Sequence, residues 1–241
     1  MNKWLLAVVA AAGLAAAIAG AADDSFVKGS ITAAFALPQM EMPRANAWVN
    51  EGSVEGIEKK MGHDGEFGEI ALGMGLGLGY GVSLGEYFRI DAFVANFRKE
   101  NTVTYTGDQY SRDVTLTTHI IPVRLGGTFL TTGLIGGRLK PEMGLGVVTF
   151  IANYDTAQDI TVFGVTSGGT AWTREVCYGP ELKLGAEFTL FDGLALEGYG
   201  TYWTAEATLA NWTQYGSAPL RGPLREDFTG WAIWVAPRLY F

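Results

Sequence analysis

Ten charged residues stand at alternate positions of extended, apolar-rich segments: Arg89, Asp91, Arg124, Lys140, Glu142, Glu181, Lys183, Glu187, Glu197 and Arg238. The pairs Arg89/Asp91, Lys140/Glu142 and Glu181/Lys183 are two residues apart, which in a strand puts both members on one face. Five of the ten are basic and five acidic, so the set can neutralise itself. An unpaired buried charge costs several kcal/mol, and these residues therefore form a candidate ion-pair network inside the fold. The functional alternative for the same charges is a narrow polar pore. Catalysis has less to stand on. His63 lies beside Asp64, while His119 shares a face with Thr115 and Thr117 and has Ser111 and Asp113 near it in sequence only. A nucleophile, base and acid need mutual hydrogen-bond reach, and no strand offers it, so no catalytic residue is assigned. Two histidines and the single Cys177 make a transition-metal site improbable, and no cofactor is expected.

The elements that must position these charges have a period of two. The clearest is 67–82, where Ile70, Leu72, Met74, Leu76, Leu78, Tyr80 and Val82 alternate with Ala71 and five glycines. So small a face calls for something bulky to cross from the opposite wall, or leaves the interior open. Seven further alternating segments run over about 26–37, 87–97, 115–129, 138–151, 174–188, 194–204 and 228–241. Short turns follow the second, fourth and sixth. The other connections, 38–66, around Gly107-Asp108, 153–173 and 205–227, are expected to be long loops, the second of them continuing as a ribbon. Within 153–173, Thr166-Ser167-Gly168-Gly169-Thr170 is loop chemistry. Arg124-Leu125-Gly126-Gly127-Thr128-Phe129 is echoed by Lys183-Leu184-Gly185-Ala186-Glu187-Phe188, in each case just before a short turn.

Composition agrees with export and excludes some functions. Met1-Asn2-Lys3, an apolar run to Ile18 and Ala19-Gly20-Ala21 read as a signal peptide over 1–21, leaving 22–241 as the mature domain. Removing Lys3 from the 17 basic residues leaves 16 against 25 acidic, a net charge of −9 that argues against nucleic acid. No run after residue 22 is long and apolar enough for a membrane helix. With one cysteine the exported chain has no internal disulfide, and Cys177 is expected to pack.

The last strand ends on Arg238-Leu239-Tyr240-Phe241, and this ending resembles the closing strand of bacterial outer-membrane β-barrels. By its whole pattern the chain resembles the small barrels of the OmpA, OmpX and OmpW kind. That resemblance implies an all-β, eight-stranded antiparallel up-and-down barrel in the cell outer membrane. It further implies four extracellular loops, surroundings of lipid and lipopolysaccharide, and no catalytic role. It makes Leu239, Tyr240 and Phe241 a signal for the barrel-assembly machinery. The alternatives it carries are a narrow channel for small or hydrophobic molecules, prompted by the glycine face, and a lipid-A-modifying enzyme. No extracellular partner is named by the sequence.

Three finer expectations follow. Pro122, Pro141, Pro180 and Pro237 fall in strands, where proline forfeits a ladder bond, and are expected at bulges or strand ends. A short helix over 53–62 packs on the barrel mouth. Trp48, Trp172, Trp203 and Trp212 at one rim and Tyr87, Trp234, Tyr240 and Phe241 at the other form aromatic girdles.

Overall fold

A computed structural model describes residues 27–40, 59, 61–62, 72–209 and 224–241. The signal segment, His63 and Asp64, most of the 53–62 helix, and Trp48 and Trp212 lie outside them. Eight antiparallel strands close on themselves: β1 (Val27–Met40), β2 (Gly75–Leu84), β3 (Phe88–Gly107), β4 (Tyr110–Leu130), β5 (Leu139–Val162), β6 (Val165–Phe191), β7 (Leu194–Trp203) and β10 (Gly230–Tyr240). Each is hydrogen-bonded to its sequence neighbour, and β10 pairs with both β7 and β1. A separate hairpin of β8 (Glu206–Leu209) and β9 (Leu224–Asp227) lies between β7 and β10. The seam runs to the last residue, since Phe241 and Gly29 exchange two backbone hydrogen bonds of 3.0 Å. Closure leaves no free edge within the barrel, which is how a sheet without disulfides avoids an aggregation-prone border; Cys177 is free and buried.

The alternation fixes which face is which. Along β10, Ala232, Trp234, Ala236 and Arg238 are buried while Trp231, Ile233, Val235 and Leu239 are exposed. The same holds round the barrel, where Ile31, Phe35, Leu78, Ile90, Leu125, Leu145, Leu184 and Leu196 stand outward. This belt is as tall as Trp231 to Leu239, about the nine residues a tilted strand needs to cross hydrocarbon. The aromatic girdles need correcting. Tyr87 and Phe241 are exposed at the short-turn end, but Trp234 and Trp203 are buried inside the barrel, and the Tyr240 hydroxyl turns inward to Glu187. Both Trp234 and Tyr240 share the parity of Arg238, and parity prevails over height.

A second correction concerns the loops. The 153–173 connection is strand, with Asn153 to Val162 paired residue for residue with Arg174 to Val165 around a turn at Phe163-Gly164. β3 and β4 likewise pair out to Gly107 and Tyr110, and β4 pairs with β5 as far as Tyr110 and Val162. Four strands therefore continue past the belt as one sheet. The small and polar residues of 166–170 form strand because β5 supplies a complete ladder, which overrides local propensity. Among the described residues two turn positions other than glycine have positive φ, Ile135 at 51° and Phe163 at 50°. That region costs an L side chain roughly 1–2 kcal/mol.

The prolines divide into two kinds. Pro141 and Pro180 sit where a neighbouring ladder ends, as expected, and their carbonyls accept from Thr131 and Thr204. Around Pro122 and Pro237 pairs are missing from the β3–β4 and β1–β10 ladders, yet the register resumes unchanged on either side. The single register shift among the described strand pairs is elsewhere, between Thr189 and Phe191.

Candidate functional site: a filled lumen

Alternation around a closed barrel aims one residue in two from every strand at a common axis. Near the short turns those residues are charged. Arg89 of β3 is the hub. Its Nε donates to Asp91 Oδ2 at 2.9 Å, its Nη1 to Glu187 Oε2 at 2.8 Å and Tyr240 Oη at 3.1 Å, and its Nη2 to Glu142 Oε2 at 3.0 Å and Glu197 Oε1 at 2.7 Å. All three nitrogens of a fully buried guanidinium are thus occupied. Arg238 donates to Glu197 Oε2 at 2.9 Å, Asp91 Oδ1 at 3.0 Å and Ser30 Oγ at 2.9 Å. Lys183 pairs with Glu142 at 3.0 Å and with Glu197, and Thr128 donates to Asp91 at 3.2 Å. Ser30, Arg89, Thr128, Glu142, Lys183, Glu197 and Arg238 come from seven strands. β2 contributes space: a Cβ on Gly81 would collide with Asp91, Arg238 and Ser30.

One level further in, Arg124 of β4 forms a bidentate pair with Glu181, with its Nε 2.8 and 2.7 Å from the two oxygens. The guanidinium lies 5.4, 5.6 and 5.2 Å from the ring centroids of Phe93, Tyr199 and Trp234, a geometry in which ring quadrupoles attract a cation. Trp234 stacks on Tyr199 at 5.9 Å, meets Phe93 edge-on at 5.1 Å, and donates its Nε1 to Thr201 Oγ1 at 2.9 Å. A cavity of about 40 Å³ lies among Arg124, Glu181, Lys183, Tyr199 and Arg238, room for a few waters.

Above that the lumen is mainly apolar, although Thr118 and Glu226 are buried as well. Phe97, Ile120, Phe150 and Phe228 are fully buried there, with Phe150 centred 5.5 Å from Trp203 and 6.5 Å from Phe228. Phe228 belongs to the link between β9 and β10. Its amide donates to the Ala205 carbonyl at 2.8 Å, and its carbonyl accepts from Trp203 Nε1 at 2.8 Å. These two bonds pin the base of the β8–β9 hairpin at the barrel mouth, with Phe228 inside and β8 alongside β6. The glycine face of β2 has the same explanation. Phe97 covers Gly75, and Phe93 covers Gly77 and Gly79, both reaching from the adjacent strand β3 and not from the opposite wall.

Of the ten charged residues singled out from the sequence, nine join these contacts. Four are basic and five acidic. Lys140 does not join: it sits on the inner parity opposite Glu187 but half-exposed at the rim, and it has no ion pair among the described residues. Sequence reasoning passed over Ser30, Thr128 and Tyr240 as members of the ionic layer. It also passed over Phe93, Phe97 and Trp234 as lumen aromatics, although each has the parity of Arg89 or Arg238. Phe228 carries no periodic signal at all. His119 pairs across with Arg98 and Asn153, whereas Ser111 faces Thr106 and Thr161. Eight residues of strand put them roughly 26 Å apart, so His119, Ser111 and Asp113 form no joint site. Leu239 and Phe241 are exposed at the seam.

No protein-family model and no curated protein sequence matches the chain. Among solved structures it is similar to the attachment invasion locus protein Ail of Yersinia pestis, crystallised with the heparin analogue sucrose octasulfate. The identity is 11%, the TM-score 0.39, and the match covers 90% of this chain and 99% of that one. It is also similar to the outer membrane protein OprG of Pseudomonas aeruginosa, at 12% identity, TM-score 0.41, and 90% and 96% coverage. The amino-terminal β-barrel domain of OprF from the same organism matches at 11% identity, TM-score 0.32, and 89% and 97% coverage. The architecture stands on the strand pairing of the chain itself.

Proposed function

We propose that this protein is an integral outer-membrane barrel that works as a scaffold, neither conducting solutes nor catalysing a reaction, and that its task is to hold a rigid four-stranded sheet outside the cell. The outward belt supports membrane insertion, because so much exposed apolar surface has no place on a soluble monomer. Strands with a polar lumen and an apolar exterior belong to closed barrels in lipid. The observation that carries the scaffold reading is the lumen itself, filled first by the Arg89 network and then by the Phe150–Trp203–Phe228 cluster. Of the glycines that prompted the channel alternative, Gly75, Gly77 and Gly79 are covered by Phe93 and Phe97, and Gly81 by Asp91, Arg238 and Ser30. Surrounding lipid and lipopolysaccharide, and recognition of Leu239, Tyr240 and Phe241 by the assembly machinery, belong to the same reading.

Purified protein in planar bilayers is expected to give no stable conductance steps, and it is expected in the outer-membrane fraction of expressing cells with heat-modifiable migration. Reproducible unitary steps would restore the channel reading. A changed lipid-A mass spectrum on expression would restore the enzyme.

A further inference from the structure

Ile135 and Phe163 share an unusual property, an apolar side chain on a left-handed turn residue. Asparagine or glycine at the first position of a two-residue hairpin would adopt that conformation without strain. Such outliers concentrate where something binds. For Ile135 the membrane is at hand, since its turn joins β4 to β5 at the end of the apolar belt. Phe163 has no such neighbour. β5 leaves the belt near Ile151, and the turn stands roughly 30 Å beyond it along tilted strands. Here Phe163 is 77% exposed, Val165 72% and Val162 40%. The tip is also held in place, because the Phe163 amide donates to the Gln109 carbonyl of the neighbouring hairpin at 2.9 Å. Ordering before contact lowers the entropic cost of binding.

We propose that Val162, Phe163 and Val165 form a wedge that enters the zwitterionic lipid surface of an apposed membrane. The inference rests on the reading that places the sheet outside the cell. Two observations choose the occupant. The apolar area at the apex is three side chains, set apart from the exposed Trp172 lower on the shaft by the polar stretch 166–170, and Thr102 bonds Thr115 at 3.0 Å and Thr161 bonds Thr166 at 2.9 Å along it. A stable protein interface buries about 800 Å² on each partner, which this apex does not offer, whereas a bilayer accepts a lone wedge. Asp108, Asp113 and Asp159 are exposed near the tip, and like charge turns away both anionic lipid and the tip of a second copy. A single tip binds weakly, and many copies in one membrane multiply the effect.

The test uses the full chain reconstituted into dense, sucrose-loaded proteoliposomes mixed with protein-free fluorescent phosphatidylcholine vesicles. Wild type is expected to sediment at least fivefold more fluorescence than F163N/V165T, in which Asn keeps the turn, and to sediment fewer vesicles when they contain phosphatidylglycerol. Equal sedimentation by wild type and variant, no sedimentation by wild type, or a preference for phosphatidylglycerol would each overturn the wedge. Labelling of intact expressing cells carrying Ser167→Cys with a membrane-impermeant maleimide separates the two levels. Labelling together with no vesicle capture removes the wedge alone, and absence of labelling removes the outside placement as well.

Discussion

The two halves of the lumen solve one problem by different means. Both must fill a tube that eight strands leave only just wide enough for side chains. Near the short turns the filling is matched by donors and acceptors: the Arg89 guanidinium meets Asp91, Glu142, Glu187, Glu197 and Tyr240. Nearer the mouth it is matched by shape, with Phe150, Trp203 and Phe228 in contact across strands distant in sequence. An ionic layer is sensitive to single losses, because each partner removed leaves an excess of the opposite charge buried. An apolar layer loses stability in proportion to the volume removed. The charged half is thus the part that a shifted register would leave mispaired, while the aromatic half supplies bulk.

Four substitutions probe that contrast, each followed by urea unfolding of detergent-solubilised protein using tryptophan fluorescence. Arg89→Met is expected to be the most damaging, with a loss of about 5 kcal/mol or no folded species at all, since four buried carboxylates lose their shared cation. A stable, normally migrating variant would show that the layer is dispensable. Trp234→Ala is expected to cost about 3–5 kcal/mol through the cavity it leaves, with a fold that still closes. Arg124 and Glu181 stand between the two regimes, a pair wrapped in rings. Arg124→Met and Glu181→Gln are expected to cost about 3 kcal/mol singly, and the double variant to cost less than their sum by about 1–3 kcal/mol. Strict additivity would mean that the rings, not the carboxylate, hold the guanidinium.

Much of the barrel was legible because two periodicities coincide. Apolar residues alternate with something else, and wherever the something else is charged, as at Arg89-x-Asp91 or Glu181-x-Lys183, it names the inner face. The same parity places Phe93, Phe97, Trp234 and Tyr240 inside, whereas height along the strand points Trp234 and Tyr240 to a rim and is silent on Phe93 and Phe97. The extension of β5 and β6 over Asn153 to Arg174 was not legible. Thr166-Ser167-Gly168-Gly169-Thr170 has no apolar rhythm, and its strand state comes from pairing with residues 157–161. Lys140 shows the limit of parity: it has the right face and the wrong depth. Phe228 enters the lumen through the fold of a connecting hairpin, which no local pattern encodes.

The position of Arg238 has a consequence for biogenesis. It stands on β10 beside its partner Glu197 on the adjacent strand β7, and it reaches Ser30 of β1 and Asp91 of β3 on the far side of the seam. A sheet that has not yet shut leaves Asp91 with Arg89 alone, so joining the two ends also completes the pairing of the interior. Mispaired or slipped ends would leave that debt outstanding, and the ring would have a built-in electrostatic proofreading of its own closure.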